Sequence, residues 1–421
     1  MPDTATSSPD LSADQLYPND RIAQLIILGL IMGLEVYAKF LLFPLQENMS
    51  AALGLSDNQM ALLQGPALQF SSAVIAIPLG VIADRYTRIR WLFAAAALTA
   101  IGTVFTAFAP GYATLLLARC LIGLSTIVAP LVFSLVADLF PESQRGRAIM
   151  VVGFGQLAGN SVAFAAGGAL MAHAPHPDDW RWVVGWLATP LFAALPMLLL
   201  LKEPPRRGVT TGAMSLQAAG KELWGYRKVL LTIVIGVGFA EIAMGAIRVW
   251  TAPALSRGFA LAPNQVGNVM AACLLIGGIA GPFAGGMLAD YCQKRGGPRL
   301  TTVALICIAL VSVPVGAFAL LPSAPLFSVA FTLFKALTLM IACMGITMFT
   351  LAVPNKMRGL SVGVLGTSNM IFSGAIAPVS VSVLSEGMGG NQIHLALTLV
   401  CAVSCLGAAV IFLAGLPQRR L

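Results

Sequence analysis

The chain carries the stretch GVIADRYTRIR at residues 80–90 and the stretch GMLADYCQKR at residues 286–295. Gly, Ala and Asp occupy the first, fourth and fifth positions of both stretches, at an offset of 206 residues. A second pair of segments, PESQRG at residues 141–146 and PNKMRG at residues 354–359, repeats at an offset of 213 residues. Two separate segments that recur at nearly one spacing indicate an internal duplication, with one copy of a structural unit in each half of the chain.

The composition predicts what this duplicated unit is made of. Hydrophobic residues make up 58% of the 421 residues and charged residues only 10%, whereas soluble domains have about 45–50% and about 25%. A transmembrane helix needs about 20 apolar residues, so a chain of this length has room for about twelve. We therefore expect an all-α membrane protein of twelve transmembrane helices in two pseudo-symmetric six-helix bundles, without a large soluble catalytic domain.

The predicted spans are the apolar runs between charged segments and Pro or Gly turns. Numbered as spans 1 to 12 in chain order, they cover residues 22–46, 58–82, 91–109, 112–137, 148–171, 182–201, 229–254, 264–288, 300–321, 324–350, 358–384 and 392–415.

The distribution of basic residues predicts the orientation. Of the 25 Lys and Arg residues, 19 fall in the terminal segments and in the loops on one side, two in the opposite loops and four inside spans. Because cytoplasmic loops carry the excess of Lys and Arg, we expect both termini in the cytoplasm and a multi-pass protein of the plasma (inner) membrane. The first apolar run follows an acidic segment rather than a basic one, so we expect it to remain as a span and not to be removed as a signal peptide.

The longest connecting segment, residues 202–228, contains six Lys and Arg residues and separates six spans from six. Its second part mixes apolar and charged residues, as a helix lying in the membrane interface does; an ordinary solvated connector is the alternative. The expected organisation is an N-terminal cytoplasmic tail, an N-terminal bundle, a cytoplasmic linker, a C-terminal bundle and a C-terminal tail, at residues 1–21, 22–201, 202–228, 229–415 and 416–421.

The repeated segments also predict contacts at the cytoplasmic ends of the spans. Gly80 and Gly286 would let two helices approach closely, and Asp84 and Asp290 would bind an Arg or a helix N-terminus. Such contacts can hold one bundle against the other; the alternative is that these loops are only charged topology signals. The candidate cytoplasmic gate residues are Gly80, Asp84, Arg85, Arg88, Asp138, Arg145, Gly286, Asp290 and Arg358.

Residues 80–90 are similar to the G-x-L-A-D-R-x-x-R-R signature of the major facilitator superfamily, and the resemblance covers nearly the whole chain. Within that superfamily the chain looks like the spinster family, through the segments at residues 134–145, 180–182, 203–206, 250–257 and 357–359. The resemblance implies transport by alternating access. Known spinster members export sphingolipid phosphates or lysophospholipids, and some are coupled to protons.

The chain departs from the family pattern at two places. The family has Asp-Arg in span 1 where this chain has Glu35 and Val36, so the acid is kept and the base is lost. In span 4 the family has an Arg and, seven positions later, a Glu; this chain keeps Arg119 but has Thr126 at the second position. The resemblance therefore does not place a proton site at Thr126.

Six ionisable residues fall inside the predicted spans: Glu35, Lys39, Arg119, Glu241, Arg248 and Lys335. Each costs at least about 2.5–3.5 kcal/mol at the bilayer centre, which favours a functional role. Glu35 and Glu241 differ by 206 positions, the offset of the repeated loops, and are expected to be equivalent acids facing a central cavity.

The depths of the basic residues suggest their partners. We expect Arg119 to meet Glu35 in at least one state of the protein, because a close cation keeps such an acid ionised and its loss lets the acid take up a proton. Lys335 is expected to be the counter-charge of the second half or an anchor for an anionic headgroup. Lys39 and Arg248 lie nearer the external ends, where they either serve the cavity or extend to the interface.

Other polar or aromatic span residues either line the cavity or only pack between helices; the candidates are Ser125, Thr126, Gln64, Asn160, Trp250 and Asn369. The sequence contains no protease, hydrolase or phosphate-binding motif and no metal-ligand spacing, so we expect neither an enzyme nor a bound metal or cofactor.

These features predict a secondary transporter rather than a lipid enzyme or a sensor. We expect a proton-coupled monomer that moves an amphipathic anion such as a sphingoid phosphate or a lysophospholipid; a transporter or facilitator of small organic acids or drugs is the alternative. The expected partners are this substrate, protons and the bilayer, and not nucleic acid.

Overall fold

The computed structural model describes residues 18–74, 87–176, 179–205, 225, 227–353, 358–390 and 392–416. Helices make up its secondary structure throughout these residues, and the predicted all-α membrane fold is confirmed. Ten helices of the described residues are long and apolar enough to cross a membrane. One of them contains two spans, which meet at Gly297 with a φ of 60° and a ψ of −151°. Span 2 supplies the remaining helix, from Asp57 to the last described residue before the gap.

The helices follow the predicted spans to within a few residues at most ends. In the first half, span 1 is Pro18–Phe40 and span 2 is Asp57–Gln64 with its continuation over residues 66–74; spans 3 to 6 are Arg88–Ala107, Tyr112–Leu139, Glu142–Ala172 and Trp180–Leu198. In the second half, span 7 is Arg227–Phe259, spans 8 and 9 are Pro263–Val315 with Gly316–Leu320, and span 10 is Ala324–Ala352. Span 11 consists of Arg358–Asn369, Met370–Ile376 and Ala377–Gly387, and span 12 is Ile393–Ala414.

Span 1 is shorter than predicted, because its helix ends at Phe40 and not at residue 46. Pro44 has no backbone N–H to continue the helical hydrogen bonds, so the chain turns there. A short separate helix, Gln46–Leu53, follows and ends at Gly54, which has a φ of 61°. Ser56 then starts span 2 through a capping box with Gln59, in which each residue's side chain accepts the other's backbone N–H, at 3.2 and 3.0 Å.

Two apolar clusters lie within the first half and one within the second, and a fourth packs Phe43, Ala61 and Phe164 of the first half against residues of the second. The spans alternate in direction. We call the end of the bundle at which spans 1 and 7 begin the terminal end, and the opposite end the distal end. The two halves meet along span 5 against span 8 and span 2 against span 11. At both contacts glycine backbones touch: a Cβ on Gly168 would lie 2.4 Å from the carbonyl oxygen of Pro263, and one on Gly65 would lie 2.3 Å from that of Gly374.

The predicted close approach at Gly286 is wrong. A Cβ added there would meet nothing within 4 Å. The close approach of spans 8 and 10 occurs instead one residue and five residues earlier, at Gly285 and Gly281, where a Cβ would lie 2.9 Å from Met340 and 2.6 Å from Leu339. Gly286 is rotated away from span 10 because successive helical residues point about 100° apart.

Candidate binding cavity between the two halves

A cavity of about 410 Å³ lies between the two halves at the middle of the spans. Its lining comes from spans 1, 2, 4 and 5 of the first half and from spans 7 and 11 of the second. The polar and charged lining residues are Glu35, Lys39, Gln64, Gln69, Ser72, Thr126, Gln156, Arg248, Asn369 and Ser373. Its volume falls within the range of small-molecule sites.

Glu35 and Lys39 form an ion pair on one face of span 1, where residues four apart are neighbours. Glu35 is almost completely buried and Lys39 is about one-fifth exposed, both at the cavity wall. The nearest cation to Glu35 therefore comes from its own helix. The expected contact between Glu35 and Arg119 is not present in this structure, because Lys39 occupies that position.

Arg119 is completely buried and is bound by the backbone instead. It donates to the carbonyl of Lys39 at 2.9 Å, to that of Leu63 at 3.4 Å and to Oε1 of Gln64 at 2.7 Å. The first carbonyl is available because it lies in the last turn of span 1. Span 2 is also interrupted close by, at Gly65, where φ is −115° and ψ is −87°. Arg119 thus joins spans 1, 2 and 4 and does not line the cavity.

Glu241 takes a different partner from its equivalent in span 1. Its Oε2 accepts a hydrogen bond of 2.7 Å from the amide of Asn369 in span 11. Arg248 and Lys335 interact with it electrostatically, but no cation of the described residues lies within ion-pair distance of it. An amide is neutral, so the charge of Glu241 is not matched by its direct partner.

Lys335 is buried in span 10, with 7% of its surface exposed, and its Nζ lies 3.7 Å from the sulfur of Met244. It does not line the cavity. The expectation that Lys335 anchors a ligand in the cavity is therefore not met in this structure, and its role as a counter-charge near Glu241 stays a prediction.

Span 11 contains a π-helical segment, Met370–Ile376, that begins directly after Asn369. Such wide turns occur often at functional sites. Pro378 explains the segment locally, because it has no N–H to close an α-helical turn onto the carbonyl of Gly374. Ser373 and Gly374 of this segment line the cavity. Sequence reasoning missed the segment, although Pro378 was a signal for it.

The remaining predicted residues divide into cavity and packing positions. Thr126 lines the cavity and its hydroxyl lies 2.6 Å from that of Ser72. Ser125 is completely buried and donates to the carbonyl of Ile122 at 2.6 Å. Trp250 is also completely buried and donates to the carbonyl of Pro378 at 2.9 Å, between spans 7 and 11.

Asn160 is half-buried on span 5 and outside the cavity lining. Of the two alternatives predicted for Ser125, Trp250 and Asn160, this structure favours packing between helices over lining the cavity. These residues lie at the depth of the cavity along their spans, but on helix faces that are directed towards neighbouring helices.

At the distal end an ion cluster joins the two halves. Arg257, at the end of span 7, donates to both carboxylate oxygens of Glu47 at 2.8 and 2.9 Å and to both of Asp57 at 3.0 and 2.8 Å. Asn58 of span 2 also donates to the Glu386 carboxylate of span 11. No role was predicted for these residues. The sequence feature that could have identified the cluster is that Arg257 is one of the two Lys and Arg residues predicted in the loops on that side.

Of the predicted gate residues, Gly80, Asp84 and Arg85 lie outside the described residues. Arg88 is buried and pairs with Asp138 at 2.5 Å and with Glu203 at 2.7 Å, so it joins span 3 to span 4 and to the segment after span 6.

Arg145 donates to the carbonyl of Ala137 at 2.8 Å, Asp290 is exposed, and Arg358 begins the helix of span 11. In this structure these contacts of Arg88 and Arg145 stay within the first half and do not bridge the two halves.

The profile of the Major Facilitator Superfamily matches residues 26–250, which is more than half of the chain. The chain belongs to this superfamily. It is a transporter and not an enzyme. The arrangement described above, six spans in each half around a central cavity, fits this assignment.

Two kinds of relatives extend the comparison. Protein spinster homolog 1 of Mus musculus is 27% identical over 244 residues, 54% of this chain and 44% of that protein. The chain thus matches less than half the length of this relative. A bacterial homologue of the human lysosomal transporter spinster, solved in an inward-facing and unoccupied conformation, has a TM-score of 0.78 at 20% identity over 95% of this chain and 96% of that one.

A D-xylose-proton symporter has a TM-score of 0.71 at 16% identity, over 92% of this chain and 96% of that one. At these identities the two structural likenesses support the fold alone. The chain is spinster-like in sequence, as the segments of both halves predicted.

Proposed function

We propose that this transporter works by alternating access and couples the movement of an amphipathic anion to that of protons. The observation that carries the proposal is the central cavity, in which charged residues of both halves meet at mid-depth. A cavity between two duplicated units can open towards either side when the units rock about it.

The contacts between the halves support one direction of access in this structure. Among the described residues, the hydrogen bonds between side chains of the two halves lie at the distal end, around Arg257 and Glu386. Closure at that end fits a state that is accessible from the terminal end. With the positive-inside bias this is the cytoplasmic side of the plasma membrane.

Glu241 is the acid that we propose carries the proton. Its carboxylate faces a neutral amide from another span, whereas Glu35 is matched by a cation on its own helix. Loss or gain of a proton on Glu241 would change its bond to Asn369, which precedes the π-helical segment of span 11. Protonation at this position would thereby affect the helix that forms part of the contact between the halves.

The substrate class follows from the mixed lining. Arg248 favours an anionic group because, unlike Lys39, it forms no ion pair with a described carboxylate. Apolar residues of the same cavity, among them Phe40, Leu68 and Met370, favour an apolar tail. We therefore propose a sphingoid phosphate or a lysophospholipid as the type of substrate. Small organic acids or drugs remain the second candidate, because a cavity of about 410 Å³ also holds a compact solute.

The test is transport by the purified protein, reconstituted as the full chain into proteoliposomes. Radiolabelled lysophosphatidate, lysophosphatidylcholine and a short-chain organic acid are compared with and without an imposed pH gradient. We expect gradient-dependent accumulation of a lysolipid and little of the organic acid. Accumulation of the organic acid alone would contradict the lipid proposal and favour the second candidate. Uptake that does not change with the pH gradient would mean that the protein is a facilitator and not a proton-coupled transporter.

A further inference from the structure

Arg248 is the cation of the cavity whose donors are not used. Its guanidinium lies at the cavity wall, and its contacts with other described residues are the ring of Phe40 and an electrostatic interaction with Glu241, without a hydrogen bond from its N–H groups. A guanidinium has five N–H donors and needs acceptors when it is partly buried. The protein thus leaves a set of strong donors directed at the space between the two halves.

The other cations of the spans are either bound by acceptors or lie away from the cavity. Arg119 is bound by two carbonyls and an amide, and Lys39 by the carboxylate of Glu35. Lys335 is buried outside the cavity lining. Among the described residues that line the cavity, Arg248 is therefore the cation whose donors are not taken by a protein acceptor.

The ring of Phe40 holds this guanidinium in place. The central carbon of the guanidinium lies 5.5 Å from the centre of the Phe40 ring, within the range of a cation–π interaction. Phe40 belongs to span 1 and Arg248 to span 7, so the two halves of the protein meet in this contact. Stacking on a ring face leaves the edge of the guanidinium, where its donors lie, free to bind an anion in two parallel hydrogen bonds.

We propose that Arg248, stacked on Phe40, is the binding site for the anionic headgroup of the transported ligand. This inference rests on the proposed function and deepens it. The ligand class is a phosphate or a carboxylate, whose oxygens match the fork of donors on Arg248. The amine of Lys39 lies at the same wall but is paired with the carboxylate of Glu35. Because the site uses one side chain from each half, its occupation connects the two bundles.

The apolar part of the ligand is placed by the same cavity. Val36 of span 1 and Val249 of span 7 line it next to the two members of the cation–π pair, and Leu68 and Ala129 complete the apolar wall. A ligand with a charged head and an apolar body would therefore bind with its head at Arg248 and its body along these residues. A free phosphate would use only the first contact.

The test is equilibrium binding to the purified full-length protein in detergent. The probes are oleoyl lysophosphatidate, glycerol 3-phosphate, which lacks the tail, and monooleoylglycerol, which lacks the charge. The variants are Arg248→Gln and Arg248→Lys, with Arg181→Gln as the control. Arg181 is a basic residue at the distal end that donates to the carbonyl of Ala109 and lies outside the cavity.

We expect Arg248→Gln to raise the Kd for lysophosphatidate at least about tenfold, the usual effect of losing a hydrogen bond to a charged group. Arg248→Lys should give a smaller rise, because it keeps the charge but not the fork. The Kd for monooleoylglycerol should stay unchanged in both variants, which also verifies that they fold. Arg181→Gln should bind all three probes as the unchanged protein does.

Two results would overturn the inference. One is an unchanged Kd for lysophosphatidate in Arg248→Gln, which would leave the transporter proposal intact and place the headgroup elsewhere. The other is failure of the unchanged protein to bind either anion, which would remove both this site and the proposed substrate class but not transport itself. Binding of glycerol 3-phosphate as tight as that of the lipid, lost in Arg248→Gln, would support the site and favour a small anion as its ligand.

Discussion

Glu35 and Glu241 stand at equivalent positions of the duplicated halves and have different neighbours. The first is paired with Lys39 on its own helix, and the second accepts a hydrogen bond from Asn369 on another span. A pair within one helix does not change when helices move apart, whereas a bond between helices does. At the scale of single residues, the two halves therefore differ in the contact that, in the proposed function, connects protonation with movement.

Replacing Glu241 by Gln should abolish pH-driven accumulation of substrate while exchange of substrate down its own gradient continues. Gln keeps the hydrogen-bonding shape of the side chain but cannot carry the proton. Glu35→Gln is the matched comparison and should retain pH-driven accumulation, although it leaves Lys39 unpaired. Both activities are measured as tracer flux in proteoliposomes. Uphill transport that persists in Glu241→Gln would rule out this residue as the obligatory proton carrier.

Glycine determines how closely the helices approach each other. Spans 1 and 5 touch through backbone atoms: a Cβ on Gly159 would lie 1.9 Å from the carbonyl oxygen of Gly33, and one on Gly155 would lie 2.1 Å from that of Gly29. Without a hydrophobic driving force between helices in lipid, such small residues give the van der Waals contact that holds spans together. This packing also fixes the position of Glu35, which lies two residues after Gly33.

The substitution Gly159→Ala should destabilise the protein by about 1–3 kcal/mol, the usual cost of inserting a methyl group into a filled contact. The same substitution at Gly153, on the same helix, meets nothing within 4 Å. It should be neutral or stabilise the helix by up to about 1 kcal/mol. The measurement is the Tm of the two variants in detergent. Equal changes in Tm for the two substitutions would show that the effect on stability comes from helix propensity and not from the contact between spans 1 and 5.

At the scale of the whole molecule, the two halves are connected at the distal end by polar groups and across the middle by the cavity. Arg257 of the second half binds two carboxylates of the first half, which are each partly exposed. Partly exposed ion pairs contribute little energy individually. An interaction energy this small suits a gate that opens and closes, because it shifts the populations of the two states without making either state permanent.

Replacing Arg257 by Gln should shift the population towards the state that is open at the distal end. An ion-pair contribution of about 1 kcal/mol corresponds to about a fivefold change in the equilibrium. The measurement is the labelling rate of a cysteine placed at Gln156 in the cavity, in a variant without the seven native cysteines. A membrane-impermeant maleimide is applied on the distal side.

Arg181→Gln is the control at the same end, since Arg181 donates to a carbonyl of its own half and should leave the labelling rate unchanged. A labelling rate that is the same in Arg257→Gln and in the unchanged protein would mean that the ion cluster is a structural contact and not a gate.

The amino-acid sequence by itself determined the fold of this protein. Apolar runs predicted the spans, the repeated loops predicted the duplication, and the structure describes helices at nearly the same bounds. These features are local. About 20 consecutive side chains determine whether a segment lies in lipid or in water, and a rise of about 1.5 Å per residue determines the depth of each residue in the membrane. The sequence also identified which residues bring charge into the membrane.

Only the tertiary structure decided which of those charges face the cavity. Arg119 and Lys335 were expected there, and the structure turns them towards the backbone and the core, whereas Arg248 lines the cavity with its donors free. The contacts of Arg257 are likewise between residues about 200 positions apart. The depth of a residue follows from its own helix, but its partners follow from the rotation of that helix and from neighbours of the other half, which no local pattern contains.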